Sequence, residues 1–324
     1  MNDKKLTDRI KKLSDKYLAT GQDLYSFLDG LLYSDYMGYW DYIHLDTLLS
    51  LQTPKTDFPD EKIFILYHQI TELYFQLILL ELEQINKNGK NVLETGEDLG
   101  WNKQITLNLF IEKMERINRY LKHLINSFEI MINGMDRSQF IKFRMALLPS
   151  SGFQSIQYRM IELRSTDLEN LVTGTDKKKT SLVNQFEKVY WKMGANDLDS
   201  GKKTYTLKQF EKKYQKRLLK LTNKMQSLNV WSKYKSLKKK DRESKRLINL
   251  LKEYDTSINV NWKLAHYKSA VKHLKSQSQN IQATGGTNWQ EFLPPRFQKI
   301  IFFPKLWNKK EKEQWGKEWV DSII

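Results

Sequence analysis

The sequence predicts an all-α protein, one helical domain of long helices over residues 1–324. Apolar residues recur at three- and four-residue spacing through most of the chain, and no stretch alternates with the period of two that a half-buried strand requires. Clusters of Gly, Pro and Asn-Gly punctuate the segments between. The first helix is expected over Leu6 to Thr20, ending at Gly21. Tyr39, Tyr42, Leu45, Leu48 and Leu49 give a second helical stripe, closed by the two-proline loop Thr53 to Pro59. Residues 1–50 read as an N-terminal arm. A long helix follows over Asp60 to Asn86, then the Gly-rich NKNGKNVLETGEDLG, read as loop, then a helix over Lys103 to Ile132 stopped by Asn133-Gly134. Helices continue to Leu171, a polar linker with Gly174 intervenes, and residues 172–255 form a basic helical insert. The carboxy-terminal part holds a helix over Trp262 to Leu274, the turn ATGGT at 283–287, and FFPKLW.

At 324 residues the chain is long enough for a large core. It has no cysteine, which excludes disulfides, thiolate metal sites, iron–sulfur clusters and thioether cofactor attachment. Metal ligation is left to carboxylates and five histidines, His44, His68, His123, His266 and His273. The start, MNDKKLTDRIKKLSDKYL, is charged and amphipathic and has no secretory h-region, which points to the cytoplasm. Ile63 to Leu82 is the most apolar run, but polar residues from His68 to Glu81 interrupt it, so we read a buried helix and no membrane span. The formal charge of +16 concentrates in residues 201–250, with 17 Lys and Arg against three acids. Leu207, Phe210, Tyr214, Leu218 and Leu221 give that block an apolar helix face. Its lysines read as a solvated face or as a surface for an anionic partner, and no nucleic-acid reader motif accompanies them.

Three places carry candidate chemistry. Arg144 sits among Phe140, Phe143, Leu147 and Leu148, and helical spacing puts Phe140, Arg144 and Leu147 on one face. Its guanidinium either snorkels outward or serves as an anion receptor beside an apolar cavity, near the hydroxyls of PSSG at 149–152. His68 lies one turn after Phe64 and one turn before Glu72, as a satisfied core residue or as a working imidazole. His266 follows Trp262 by one turn; a surface role and a ligand role both stand, and His273 competes for the second.

The words FR…LxPSSGFQSxQYRxIE at 143–162, the segment DEKIFILYHQITELYF at 60–75, the Trp-x-x-x-His at 262–266 and the TGGT at 284–287 together closely resemble the haem-dependent tryptophan 2,3-dioxygenase family. The resemblance runs in pieces from about Tyr39 to Trp307 and is poorest through the basic insert. It implies helices arranged around a pocket for haem b, active in the ferrous form, with His266 as proximal iron ligand. It further implies that the indole C2–C3 bond of L-tryptophan is cleaved with O2 to give N-formyl-L-kynurenine. By the same resemblance Phe64 and Phe140 sandwich the indole, His68 faces its N–H from the distal side, Arg144 holds the carboxylate and Thr284 the ammonium. Tyr158 and Arg159, with Gln154, shape the haem edge. Tyr39 and Tyr42 reach a neighbouring subunit's site in a homotetramer, although either fits an ordinary amphipathic core equally well.

Three departures stand out: Ala283 replaces the first glycine of the turn, the gap from His266 to Thr284 is about four residues longer than the resemblance implies, and Asn288 to Gln290 replace small residues after the turn. Two rivals therefore remain. In one, the same haem scaffold oxidises another indole or a tyrosine-like substrate; in the other, a non-catalytic helical scaffold binds an anionic partner through residues 201–250.

Overall fold

The computed structural model describes residues 3–93, 95–148, 150, 152–173, 180–196, 202–274 and 299–316. The protein is all-α and folds as two compact units, Met1–Thr53 and Pro54–Ile324.

The first unit holds α1 (Asp3–Ala19), α2 (Leu24–Tyr33), α3 (Tyr39–Tyr42) and α4 (Leu45–Ser50), and none of the four buries a residue. The stripe expected from Tyr39 to Leu49 is split at His44, whose left-handed backbone (φ 51°) ends one turn and starts the next. Tyr39 and Tyr42 are 70% and 75% exposed, so within this unit they are not core.

In the second unit α5 runs Pro59–Asn86. Proline at its first turn lacks only an N–H that would have no helical partner. Glu61 fixes the preceding loop, accepting the Lys55 and Thr56 backbone N–H groups at 2.7 and 2.8 Å. The Gly-rich segment after α5, read as loop from sequence, is a two-stranded antiparallel hairpin, β1 (Lys90–Val92) and β2 (Asp98–Trp101). Its strands are too short to show an alternating pattern.

Next come α6 (Leu107–Asn126) and α7 (Glu129–Ile132), in place of the single helix expected to Ile132. The Ser127 hydroxyl donates to the Leu124 carbonyl at 2.6 Å, a back-bond that bends helices, and the chain turns at Phe128. Then follow α8 (Arg137–Phe143) and α9 (Ile156–Ser165), with a 3-10 turn, Arg144–Leu147, directly after α8. The tighter winding means that Phe140, Arg144 and Leu147 do not continue one α-helical face.

The stretch expected as a basic insert contains α10 (Leu182–Glu187), α11 (Tyr190–Met193), α12 (Tyr205–Met225), α13 (Val230–Ser236), α14 (Lys239–Arg242) and α15 (Lys245–Thr256). Its apolar side belongs to the main core: Leu207, Phe210, Leu218, Leu247 and Leu251 join Phe75, Ile78 and Leu82 of α5 and Phe110, Met114 and Ile117 of α6. Each such side chain, fully buried, contributes about 1.5–3 kcal/mol. The lysines of α12 face solvent.

A π-helical stretch, Ser257–Asn261, joins α15 to α16 (Trp262–Leu274) without a break. Asp255, just before it, accepts the Phe302 and Phe303 backbone N–H groups at 2.9 and 3.1 Å and the Trp307 indole N–H at 3.0 Å, anchoring FFPKLW to the helix. The short α17 (Lys309–Glu313) follows.

Candidate active site

A second apolar cluster, separate from the main core, gathers Tyr67 of α5, Phe128, Met131, Phe140, Phe143 and Tyr267, with Phe64 and Trp262 packed on it. It frames two histidines. The His68 ring lies 4.1 Å from that of Phe64, and its Nδ1 is 2.8 Å from the Phe64 carbonyl oxygen one turn earlier. A carbonyl only accepts, so Nδ1 carries the proton in this bond and Nε2 keeps its lone pair. On α16, the His266 ring stacks on Phe128 at 5.9 Å. Tyr67 bridges the two, its ring 6.0 Å from His68 and 5.5 Å from Phe128.

Both imidazoles are solvent-accessible, yet both are surrounded by enough protein to lose most of their hydration. Such groups line a recess rather than the outer surface. Burial pushes His266 down to about 4, with the charge of His68 adding to the shift, so the two rings sense each other across the recess. His68 is lowered too, again mainly by burial. Both are neutral at physiological pH. Gly152, from the PSSG segment, meets His266: a Cβ built there would lie 3.8 Å from His266 Cε1.

Phe140 closes the frame with its ring 6.1 Å from Phe64, and Phe143 is 5.8 Å from Phe64. Arg144, the next residue, is only 5% exposed, which rules out the snorkelling alternative. Burial weakens its hold on its proton, as for any guanidinium placed among apolar rings. His273 is different from His266. It is 1% exposed and its Nε2 lies 2.6 Å from the Met131 carbonyl, the arrangement of a core histidine.

The sequence profile of tryptophan 2,3-dioxygenase matches residues 30–282, more than half of the chain. The chain belongs to this family. It is 38% identical over 130 residues to the tryptophan 2,3-dioxygenase of Ruegeria sp. (strain TM1040), a stretch covering 40% of this chain and 42% of the relative. The tryptophan 2,3-dioxygenases of Ruegeria pomeroyi and Bacillus anthracis are each 35% identical over 130 residues, with the same 40% and 42% coverage. The alignable part of the chain thus spans about two-fifths of the length of these curated relatives.

Of the residues that the family resemblance singled out, the structure brings Phe64, His68, Phe140 and His266 to the ring-lined frame, with Arg144 adjoining it. Thr284 and the ATGGT turn lie outside the described residues. Tyr39 and Tyr42 belong to the other compact unit. Tyr158 and Arg159 are each 5% exposed and have internal partners. The Tyr158 hydroxyl donates to the Ile258 carbonyl in the π-helical stretch at 3.1 Å. Arg159 is 3.0 Å from Glu162 and 3.3 Å from the Tyr190 hydroxyl, with its guanidinium over the Tyr158, Tyr190 and Trp191 rings. Sequence reading missed Phe128 and Tyr67. Tyr67 sits beside His68 in the chain, but Phe128 falls in a segment that reads as uninterrupted helix, so its turn toward His266 left no signal.

Proposed function

We propose that this chain is a haem-dependent dioxygenase that cleaves the indole ring of L-tryptophan with O2, giving N-formyl-L-kynurenine. The observation that carries the reading is the pair of accessible, neutral imidazoles, His68 and His266, in one apolar recess of a chain from this family. Among the described residues no three His, Asp or Glu side chains converge as a metal cage. A haem held here would take an imidazole from the chain as its ligand. His266 fits that need: it is accessible, braced by Phe128, faced by a residue without a side chain, and unprotonated above about pH 4. Bound there, ferrous haem b would supply the oxygen chemistry.

The chain's own residues then position the substrate. Phe64 and Phe140 hold the indole by its faces. The free Nε2 of His68 accepts the indole N–H, which fixes the ring in one orientation. Arg144 grips the carboxylate with its guanidinium fork, and the apolar surroundings strengthen that bond. Thr284 takes the ammonium. Tyr158 and Arg159 act at one remove, through the packing that holds α9 against the π-helical stretch ahead of His266. We also propose a cytoplasmic homotetramer in which Tyr39 and Tyr42 reach a neighbouring subunit. A cysteine-free chain suits a reducing compartment, and an N-terminal unit that buries none of its own apolar side chains (Leu31 68% exposed, Leu32 78%) calls for a partner.

The deciding experiment mixes haem-loaded, reduced protein with L-tryptophan and air and identifies the product. Formation of N-formylkynurenine is expected. Arg144→Ala should lower kcat/KM for L-tryptophan by about 100- to 1,000-fold, the cost of leaving a desolvated carboxylate unpaired. With tryptamine, which lacks the carboxylate, the same variant should match the parent. A haem spectrum with no product from L-tryptophan would move the substrate to another indole or a phenol; no haem uptake would end the enzymatic reading.

A further inference from the structure

The two helix starts that carry the aromatic frame are tied to each other by reciprocal hydrogen bonds. Asp60, in the first turn of α5, accepts the backbone N–H of Asp136, the residue that caps α8, at 2.6 Å through its carboxylate. In return its own backbone N–H, one of the first-turn groups with no helical partner, donates to the Gln139 side-chain oxygen of α8 at 3.3 Å. The Asp136 carboxylate accepts the Gln139 backbone N–H at 3.0 Å, so the turn that Asp60 grips is itself held in one shape. On the same side the Lys142 ammonium of α8 lies over the Phe58 ring, 5.6 Å from its centroid. Phe64 stands four residues after Asp60, and Phe140 four residues after Asp136, each about 6 Å further along its helix.

The Phe64 and Phe140 centroids are 6.1 Å apart, the spacing of one direct ring contact, whereas a third ring held between them needs two such spacings, at least about 9 Å. An indole seated there parts them by about 3 Å. α5 is fixed in the main core through Phe75, Ile78 and Leu82, while α8 has only seven residues and runs straight into a 3-10 turn, so α8 is the side that yields. We propose that Asp60 is a positioning residue: its bonds to Asp136 and Gln139 form the pivot on which α8 turns as an indole enters, and they limit how far Phe140 moves from Phe64. With the pivot intact, the start of α8 stays against α5 while Phe140, one turn on, swings out by one ring. Without it the whole of α8 shifts, and the two faces no longer close on the indole. A fixed pivot thereby selects ring size as well as holding the ring. The inference rests on the reading of Phe64 and Phe140 as the neighbours of the indole, and Asp60 acts through α8 rather than on the substrate.

The test combines equilibrium dialysis of L-tryptophan against the haem-loaded protein without O2 and steady-state turnover in air. Asp60→Ala should raise Kd and KM together by about 10-fold and leave kcat within about twofold, because the hold on the ring is lost equally before and during reaction. Asp60→Asn, whose amide oxygen still accepts the Asp136 N–H, should recover most of that loss. Gln139→Ala, an independent cut at the same pivot through its longer bond, should raise Kd by about threefold. A merely structural role would lower the urea midpoint without changing which ring is preferred. A loosened pivot instead narrows discrimination, so the ratio of KM for 5-bromo-L-tryptophan to KM for L-tryptophan should fall by about threefold or more in Asp60→Ala. Parental Kd and ring preference in Asp60→Ala would overturn the pivot and leave the enzymatic reading in place, as would equal losses in Asp60→Asn and Asp60→Ala. Failure of the parent protein to bind L-tryptophan would instead remove the enzymatic reading, and the pivot with it.

Discussion

His266→Ala is expected to lose the haem absorption band altogether, while His273→Ala keeps it and unfolds more easily. The two histidines lie seven residues apart on one helix, and nothing in their spacing separates a ligand from a core residue. Their surroundings do. The His266 ring is accessible and faces Gly152. His273 is closed in by Phe140 at 5.0 Å and bonded to the Met131 carbonyl. Truncating it removes that bond and leaves a cavity, at a cost of about 2–4 kcal/mol read as a lower urea midpoint.

A pH dependence follows from the same burial. Burial depresses the affinity of His273 for a proton below the ordinary value of 6.5, and the Met131 carbonyl only partly offsets this. Below pH 6.5 the unfolded chain takes up a proton that the folded chain refuses, so stability present above that pH is lost as pH falls. His273→Gln should therefore lose less stability than the parent between pH 7.5 and 5. Loss of haem from His273→Ala alone would reverse the ligand assignment.

The second large effect is expected at Glu162. The Arg159 and Glu162 side chains are within the core, 3.0 Å apart, and Tyr190 donates its hydroxyl proton to Glu162. Glu162→Ala strands a guanidinium away from water and should cost about 3–5 kcal/mol, measured by denaturant unfolding. Replacing both charges together, Arg159→Met with Glu162→Leu, should recover most of that loss, because the apolar pair has no desolvation to offset. A single-variant loss under about 1 kcal/mol would mean that water reaches the pair.

These two sites also show what the sequence could carry. The length of α5 was legible because its apolar residues repeat and Pro59 and the Gly-rich segment bound it. His68 and Phe64 were legible as a pair because they are one turn apart on a helix that never breaks. The bend at Ser127 was not, since it depends on one hydroxyl choosing a carbonyl over solvent, and with it went Phe128, the brace of His266. Arg159 has partners that the sequence did not show. It stands in the most recognisable motif of the chain, yet its charge is consumed by Glu162 three residues later and by ring faces from α11, contacts that only the tertiary fold creates. The apolar run of α5 reads as buried from its hydropathy, yet Leu73 is 55% and Leu80 49% exposed, because the helix has more apolar faces than its own unit covers.

The π-helical stretch between α15 and α16 has a consequence for how the chain tolerates change. Residues on its two sides face different tasks, Asp255 toward FFPKLW and His266 toward the recess, and the widened turn between them holds one extra residue. Deleting one residue from Ser257–Asn261 would remove the extra residue and let the helix relax to ordinary winding, with Asp255 and His266 keeping nearly their present facing. The same deletion in the regular helix on either side would rotate one of them relative to the other by about 100°. The stretch thus holds slack counted in one whole residue, which the regular turns beside it lack.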